Sequence, residues 1–488
     1  MIDPADESRV ISEVRTDLFI GGQWRNAQSG ATFPVRDPST DDELVSVADG
    51  TAVDAVAALD AACAVQAEWA GSAPRDRSEI LRAAYEALVA STDDLALVMT
   101  LEMGKPLADS RAEIAYAAEF FRWFAEEAVR IDGRYTVAPN GKGRLLVMHQ
   151  PVGPCYFVTP WNFPLAMATR KIGPAVAAGC TMIVKPAQLT PLSMLAVAAI
   201  LDECGLPPGV LNIVTSSDAR SVTEPLLGDS RLRKLSFTGS TAVGKSLAAQ
   251  AAGGLLRVSM ELGGNAPFVV FGDADIEAAV DAAMIAKMRN MGEACTSANR
   301  FHVHESVAGE FTERLAERMR SMVVGRGTDD GVDVGPLVEE KARDKVATLV
   351  AQASDIGAKV VVGGSAPDRP GWFYEPTVLT DVPPDAGVLR EEIFGPVAPV
   401  VPFRTDDEAV AAANHTEYGL VAYVFTRDLD RAIRTAESLE VGMVGLNQGL
   451  VSNPAAPFGG VKSSGFGREG GHEGIHEYLS PKYVALHT

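Results

Sequence analysis

Cys295 stands in NMGEACTSANR, after a run that reads as a helix and before one that reads as a strand. A thiol in such a turn can be exposed, and helix-end dipoles there favour the thiolate, the form that attacks an electrophilic carbon. The competing reading is a small buried hydrophobe, which describes most free cysteines. Cys63, Cys155, Cys180 and Cys204 sit inside apolar helices or strands, and for them that second reading holds. The five cysteines are odd in number, widely spaced and without a CxxC, which argues against a disulfide framework and a structural zinc site. His302 and His304 alternate on a strand and read as ordinary surface or core histidines rather than metal ligands.

Two further segments carry chemistry. Glu261, in SMELGGN, closes an apolar strand beside two glycines, which let a backbone or ligand approach closely. It reads either as a general base with a raised pKa or as an exposed charge in a turn between domains. FTGSTAVGK, residues 237–245, is a strand, a Gly-Ser turn and a helix start, and a helix N-terminus suits a phosphate. Gly239, Gly244, Lys245 and Ser246 also match the P-loop string, but no strand ending in a suitably placed Asp accompanies it.

The elements that must position these residues follow from hydrophobic periodicity. Residues 51–130 read as four helices. The first runs from Thr51 to Trp69, the second opens at Pro74, Thr92 caps the third, which Gly104 and Pro106 end, and the fourth runs from about 109 to 130. From Gly153 strands at 154–158, 181–185, 211–214, 233–237 and 256–260 alternate with helices near 165–178, 191–204, 218–227 and 241–252. A second alternating region follows Gly264, with strands at 267–271, 299–304, 359–362, 397–403 and 420–425 and helices at about 275–290 and 306–323. Such alternation implies parallel sheets, with ligands at the carboxyl ends of the strands. Segments 144–149 and 481–487 read as strands that pair with each other or with a partner subunit's sheet edge.

The expected fold is therefore α/β, with two Rossmann-like parallel-sheet domains and a small β element for oligomerisation. Residues 1–17 are expected to be a polar, mobile or surface-draped tail. Residues 18–130 and 151–263 form the dinucleotide-binding domain, 264–455 the catalytic domain, and 131–150 with 456–488 the bridging segments. The chain has 488 residues, 47% hydrophobic and 22% charged, an ordinary globular balance spread over more than one core. Its net charge of −21 and lack of a basic run argue against nucleic-acid and anionic-membrane partners. No apolar leader and no apolar run of about 18 residues occurs, and the thiols fit a reducing compartment, so a cytoplasmic protein is expected.

Taken together, LFIGGQW, TPWNFPLAM, KPAQLTP, FTGSTAVGK, MELGGNAPF, GEACTSANR, EEIFGPV and PFGGVKSSGFGREGG, in this order from about residue 18 to the end, resemble the aldehyde dehydrogenase superfamily, and within it the succinate-semialdehyde dehydrogenases. The resemblance implies an NAD(P)-dependent enzyme that oxidises an aldehyde without a metal. Cys295 is then the nucleophile, Glu261 the general base, Asn162 the oxyanion donor and Lys185 a lysine of both the ribose and the catalytic site. It implies cofactor contacts from Thr159, Pro160, Trp161, Lys185, Ala187, Gln188, Gly239, Ser240, Leu262, Glu392 and Phe394. The FTGST turn becomes the dinucleotide turn of the family rather than a P-loop.

The same resemblance makes Arg170, Arg289 and Ser452 a clamp for a distal carboxylate, hence succinate semialdehyde. Glutarate semialdehyde, or an aromatic or aliphatic aldehyde, is the alternative. Some relatives carry a second cysteine two residues after the nucleophile. Here that position is Ser297, so no redox disulfide with Cys295 is expected. Gln188 stands where many NAD-preferring members have Glu, and a neutral amide does not repel a 2′-phosphate, so NADP is the expected cofactor with NAD possible. A homodimer or homotetramer is expected.

Overall fold

The computed structural model describes residues 2–487. Apolar strand runs such as CYFV, MIVK and KLSFT are buried on both faces, as a parallel sheet sandwiched by helices requires. The first sheet has eight strands, in the order Gly465–Phe466, Arg257–Glu261, Lys234–Thr238, Cys155–Val158, Met182–Lys185, Leu211–Ile213, Leu18–Ile20 and Gln23–Arg25. The five between Arg257–Glu261 and Leu211–Ile213 run parallel. Their register sets Thr238 beside Glu261 and Val158 beside Lys185, so the residues that leave their carboxyl ends meet along one edge.

The second sheet has seven strands, in the order Lys359–Val362, Thr377–Thr380, Val397–Phe403, Ala298–His304, Ala266–Val270, Val421–Phe425 and Met443–Leu446. All are parallel except the first pair. The chain passes from one sheet to the other at Gly263-Gly264. A Cβ on Gly264 would lie 2.4 Å from Cys295 O, so the crossing point touches the Cys295 turn directly. Leu479–Leu486 pairs antiparallel with Arg144–Pro151 within the chain, and Arg134–Val137 completes that three-stranded sheet.

The helix Ala166–Ala178 is buried throughout and packs on Leu107–Ala128. It carries Arg170 and Lys171 into the interior, where charges need partners.

Three expectations change. The polar N-terminus is ordered on the surface rather than mobile. Pro4–Glu13 is a helix capped by Asp3, with Val10 and Ile11 buried; Arg9 pairs with Asp94, and Glu7 pairs with Arg326. Thr92 opens its helix but does not cap it, because its hydroxyl donates back to Val89 O. The helix before Cys295 ends at Met288, after which Asn290 and Met291 turn left-handed.

Candidate active site

The nucleophile turn is held in a strained shape. Asn290, Met291 and Gly292 have φ of 54°, 57° and 79° in succession. Left-handed backbone at non-glycine residues persists only where surroundings over-determine it, and such strain clusters at functional sites. The restraints here are specific. Asn290 N donates to Asp109 Oδ2 at 2.9 Å, and Asn290 Nδ2 donates to Glu293 O and Asn162 O. Tyr423 OH donates to Thr296 O at 2.9 Å. Gly292 is obligatory, since a Cβ would sit 2.2 Å from Gly395 O.

Cys295 is half-buried in this turn. Burial pushes its thiol up to about 12; Arg170 opposes that, Glu392 and Glu261 add to it, and Arg289 opposes it weakly. The thiolate-favouring dipole expected from sequence is therefore absent. The turn follows a helix C-terminus, the negative end. A thiol this far above neutral is alkylated by iodoacetamide about tenfold faster for each pH unit between 7 and 10, because only the thiolate reacts. Mass-spectrometric labelling of Cys295 that is flat across that range would contradict the neutral-thiol reading.

Glu261 is buried, and neither carboxylate oxygen has a hydrogen-bond partner. Burial raises its proton affinity well above the carboxylate range, and the charge of Glu469 raises it further. Arg170 and Lys171 oppose this. Behind Glu261 those two cations share Glu469: Arg170 Nε lies 2.5 Å from its Oε2, and Lys171 Nζ donates to its Oε1 and to Ser236 Oγ. Burial alone would raise Glu469, but Lys171 and Arg170 outweigh it and hold the carboxyl well below its ordinary value. A neutral-leaning Glu261 thus faces a firmly ionised Glu469, and paired groups pushed apart in this way assign acid and base roles. Sequence reasoning missed Lys171 and Glu469, although Glu469 lies inside the quoted PFGGVKSSGFGREGG segment.

Asn162 leaves the sheet edge on the segment after Cys155–Val158. Its Nδ2 donates to Glu293 O at 2.9 Å, so its amide points into the nucleophile turn. Its own carbonyl accepts from Lys105 Nζ at 2.7 Å, and Lys105 is fixed by Glu113, which also accepts from Leu165 N and Ala166 N. Lys105 and Glu113 are therefore positioning residues that the sequence reading did not single out.

One cavity opens on this centre, and a second is lined by Arg289 and Asn290 of the turn before Cys295. The first, of about 360 Å³, is lined by Cys295, Asn162 and Glu261 together with Pro160, Trp161, Gly239, Ser240, Leu262, Glu392 and Phe394. Trp161 and Phe394 meet edge-to-face at 5.4 Å. Glu392 accepts from Gly264 N at 2.9 Å, and burial pushes it up to about 7. The residues present fit a dinucleotide. Thr238 Oγ1 is buried here without a partner, and Ser240 starts the thirteen-residue helix Thr241–Gly253 without a side-chain cap, leaving amide donors free. Lys185 is buried; its Nζ donates to Pro186 O at 3.1 Å, and burial lowers it to about 8. Lys185, Thr159 and Ala187 do not line this cavity; Thr159 N donates to Lys185 O at the strand ends, and Gln188 is exposed beyond them. Lys245 of the P-loop-like string is exposed and pairs with Glu417.

The second cavity, of about 510 Å³, is lined by Arg289, Ser452, Tyr116, Phe163, Asp109 and Leu450, among others. The Arg289 guanidinium lies 4.8 Å from the Phe163 ring centroid. Arg170 does not line it. It is 1% exposed, stacked at 4.1 Å on Phe458, with Nη1 and Nη2 buried and unpartnered. Of the three expected clamp residues, the cavity thus joins two, while Arg170 sits behind Cys295 in the ion network. Among the described residues no group of three or more His, Cys, Asp or Glu side chains is arranged for a metal.

Comparison with known proteins agrees with this geometry. The model of the aldehyde dehydrogenase family matches residues 24–484. A succinate-semialdehyde dehydrogenase of Paenarthrobacter nicotinovorans is 60% identical over 91% of this chain and 98% of its own. The NADP(+) succinate-semialdehyde dehydrogenase of Escherichia coli K12 is 47% identical over 97% of this chain and 98% of its own. The crystal structure of succinate-semialdehyde dehydrogenase from Burkholderia pseudomallei superposes with a TM-score of 0.96 at 47% identity, covering all of both chains. With a thiol, a carboxylate and an amide donor lining one cavity, and matches that run the length of the chain, this protein belongs to the aldehyde dehydrogenase family.

Proposed function

We propose that the protein oxidises succinate semialdehyde to succinate with NADP. The observation that carries the substrate class is a cavity that places a guanidinium, Arg289, and a hydroxyl, Ser452, next to the Cys295 turn. Arg289 and Ser452 line the 510 Å³ cavity, and Arg170 keeps two buried guanidinium nitrogens without an acceptor. A substrate carboxylate in that cavity is an acceptor for the Arg289 guanidinium and the Ser452 hydroxyl.

Cys295 adds to the aldehyde carbon as its proton leaves to water, so Glu261, with both oxygens free, is still unprotonated for the second half of the reaction. Charge on the aldehyde oxygen is met by Asn162 Nδ2 and the Cys295 backbone N–H. Glu392, the Gly239-Ser240 turn and the Trp161 and Phe394 faces would hold NADP+, which when bound would supply the hydride acceptor. Glu261 then takes a proton from water as that water attacks the Cys295 thioester, releasing the carboxylate and the free thiol. Gln188, exposed and neutral at its strand end, supports tolerance of a 2′-phosphate.

Arg289→Ala tests the substrate reading. A charge-assisted hydrogen bond is worth about 1.5–3 kcal/mol, so kcat/KM for succinate semialdehyde falls about 10–100-fold. For acetaldehyde, which has no carboxylate, it changes less than about threefold on the same reasoning. Equal losses on both substrates would remove the clamp. Glutarate semialdehyde remains the closest competitor, because one methylene is worth only about 1–3 kcal/mol.

The reading extends to a cytoplasmic homo-oligomer. Tyr135, Val137, Met148, Tyr483 and Leu486 leave apolar surface exposed on the three-stranded sheet, which supports a partner subunit there. No helix among the described residues is long and apolar enough to cross a membrane. The change of sheet at Gly263-Gly264 supports dividing a dinucleotide-binding domain, 18–130 with 151–263, from a catalytic domain at 264–455.

A further inference from the structure

Lys287 is fully buried at the end of the helix Ile276–Met288. Its Nζ donates to Asn299 Oδ1 at 3.2 Å and to Gly395 O at 3.3 Å, and neither acceptor is a carboxylate. An ammonium group buried on neutral acceptors is expensive, so the fold retains it against its own stability. Its two acceptors lie on the two segments that flank the reaction centre. Asn299 lies on the strand that begins three residues after Cys295, and Gly395 follows Phe394 on the loop that carries Glu392.

Those loops are in contact independently of Lys287. Gly292 packs so closely on Gly395 O that no side chain fits between them. Ser297 Oγ, two residues beyond the nucleophile, donates to Lys287 O at 3.5 Å. Phe394 is itself left-handed, with φ of 57°, and needs an external hold. We infer that Lys287 is a positioning residue that pins the Glu392–Gly395 loop to the Cys295 loop and supplies the positive field beneath Glu392. The inference rests on the cofactor site proposed above, since it is the bound nicotinamide ribose that this alignment would serve.

The groups acting on this pair are few. Burial lowers Lys287 to about 7, against the favourable charge of Glu392. Burial raises Glu392 to about 7, opposed by Gly264 N, by Lys345 and by Lys287; Lys345, on the helix Glu340–Asp355, also donates to Glu392 O at 2.6 Å. Removing Lys287 therefore raises the proton affinity of Glu392, and its carboxylate form appears only at higher pH.

The test is NADP+ titration of the full-length enzyme, read by tryptophan fluorescence, for which Trp161 lines the cavity. Lys287→Met is expected to weaken NADP+ binding at least tenfold at pH 7, with the gap closing to about threefold or less at pH 9 as Glu392 ionises. Lys287→Gln, a second neutral variant, is expected to behave alike and serves if the methionine variant does not fold. Hydrolysis of p-nitrophenyl acetate, which needs Cys295 and Glu261 but no cofactor, is expected to suffer less than NADP+ binding does. Unchanged affinity at pH 7, or a loss of equal size at both pH values, would overturn the role of Lys287. Wild-type enzyme that binds no NADP+ would instead overturn the cofactor reading on which it rests.

Discussion

Cys295→Ala abolishes NADPH formation from succinate semialdehyde, with kcat reduced by about four orders of magnitude or more, as expected when the covalent step has no substitute. The structure makes the prediction sharp because the other cysteines cannot stand in. Cys155 and Cys180 are buried at the first sheet, and Cys63 and Cys204 are on a helix and a helix end that do not line the cavity. The alanine variant should still quench on NADP+ addition, since the residues lining the dinucleotide cavity are otherwise intact. Residual turnover within about tenfold of wild type would mean that hydride leaves a hydrate rather than a thiol adduct, and the mechanism would fail.

Glu261→Gln separates the two halves of the reaction. The thioester forms but water is no longer activated, so a rapid burst of up to one NADPH per site is followed by turnover slowed about 10²–10⁴-fold, the usual worth of a positioned general base. The burst arises because the thiol proton leaves by water, whereas among the described residues lining the cavity Glu261 is the one carboxylate with both oxygens buried and unpartnered. The sign of the pH dependence follows from the same environment. Burial and Glu469 raise Glu261, so its base form gains population as pH rises, and steady-state kcat climbs with pH above neutrality in the wild type. In the glutamine variant that climb disappears. Loss of the burst together with the steady state would place Glu261 in the first chemical step and contradict its assignment to the second.

Most of the fold was legible in the sequence because its elements are strongly patterned. The strand runs between 154 and 260 are short, apolar and bounded by Gly or Pro, and each was found within a residue or two of its observed ends. The amphipathic signals at 340–355, 406–414 and 429–438 gave helices that the reading did not single out. Within the first 17 residues, read as a tail, a short polar helix is fixed by tertiary contact. Arg9, Glu7, Val10 and Ile11 find partners far along the chain, which local pattern cannot show.

The site divided in the same way. Cys295, Glu261 and Asn162 sit in recognisable segments and converge on one cavity. Lys105, Glu113, Lys171, Lys287 and Glu469 were silent, because a buried charge is meaningful only once its partner is known, and those partners are up to 298 residues away. Arg170 shows the reverse error in emphasis. Its place eight residues after Asn162 suggested a cavity-lining clamp, whereas helix packing carries it behind the thiol and onto Glu469. The thiol itself was expected to gain from a helix dipole, but the residue follows a helix rather than preceding one.

The most direct measurement is the kcat/KM of the wild-type enzyme for NADP reduction with succinate semialdehyde, acetaldehyde and benzaldehyde, side by side. The Arg289 guanidinium acting on one carboxylate, in the cavity it shares with Ser452, predicts a preference for succinate semialdehyde of about 10–100-fold. An uncharged aldehyde turned over as well as or better than succinate semialdehyde would contradict the account.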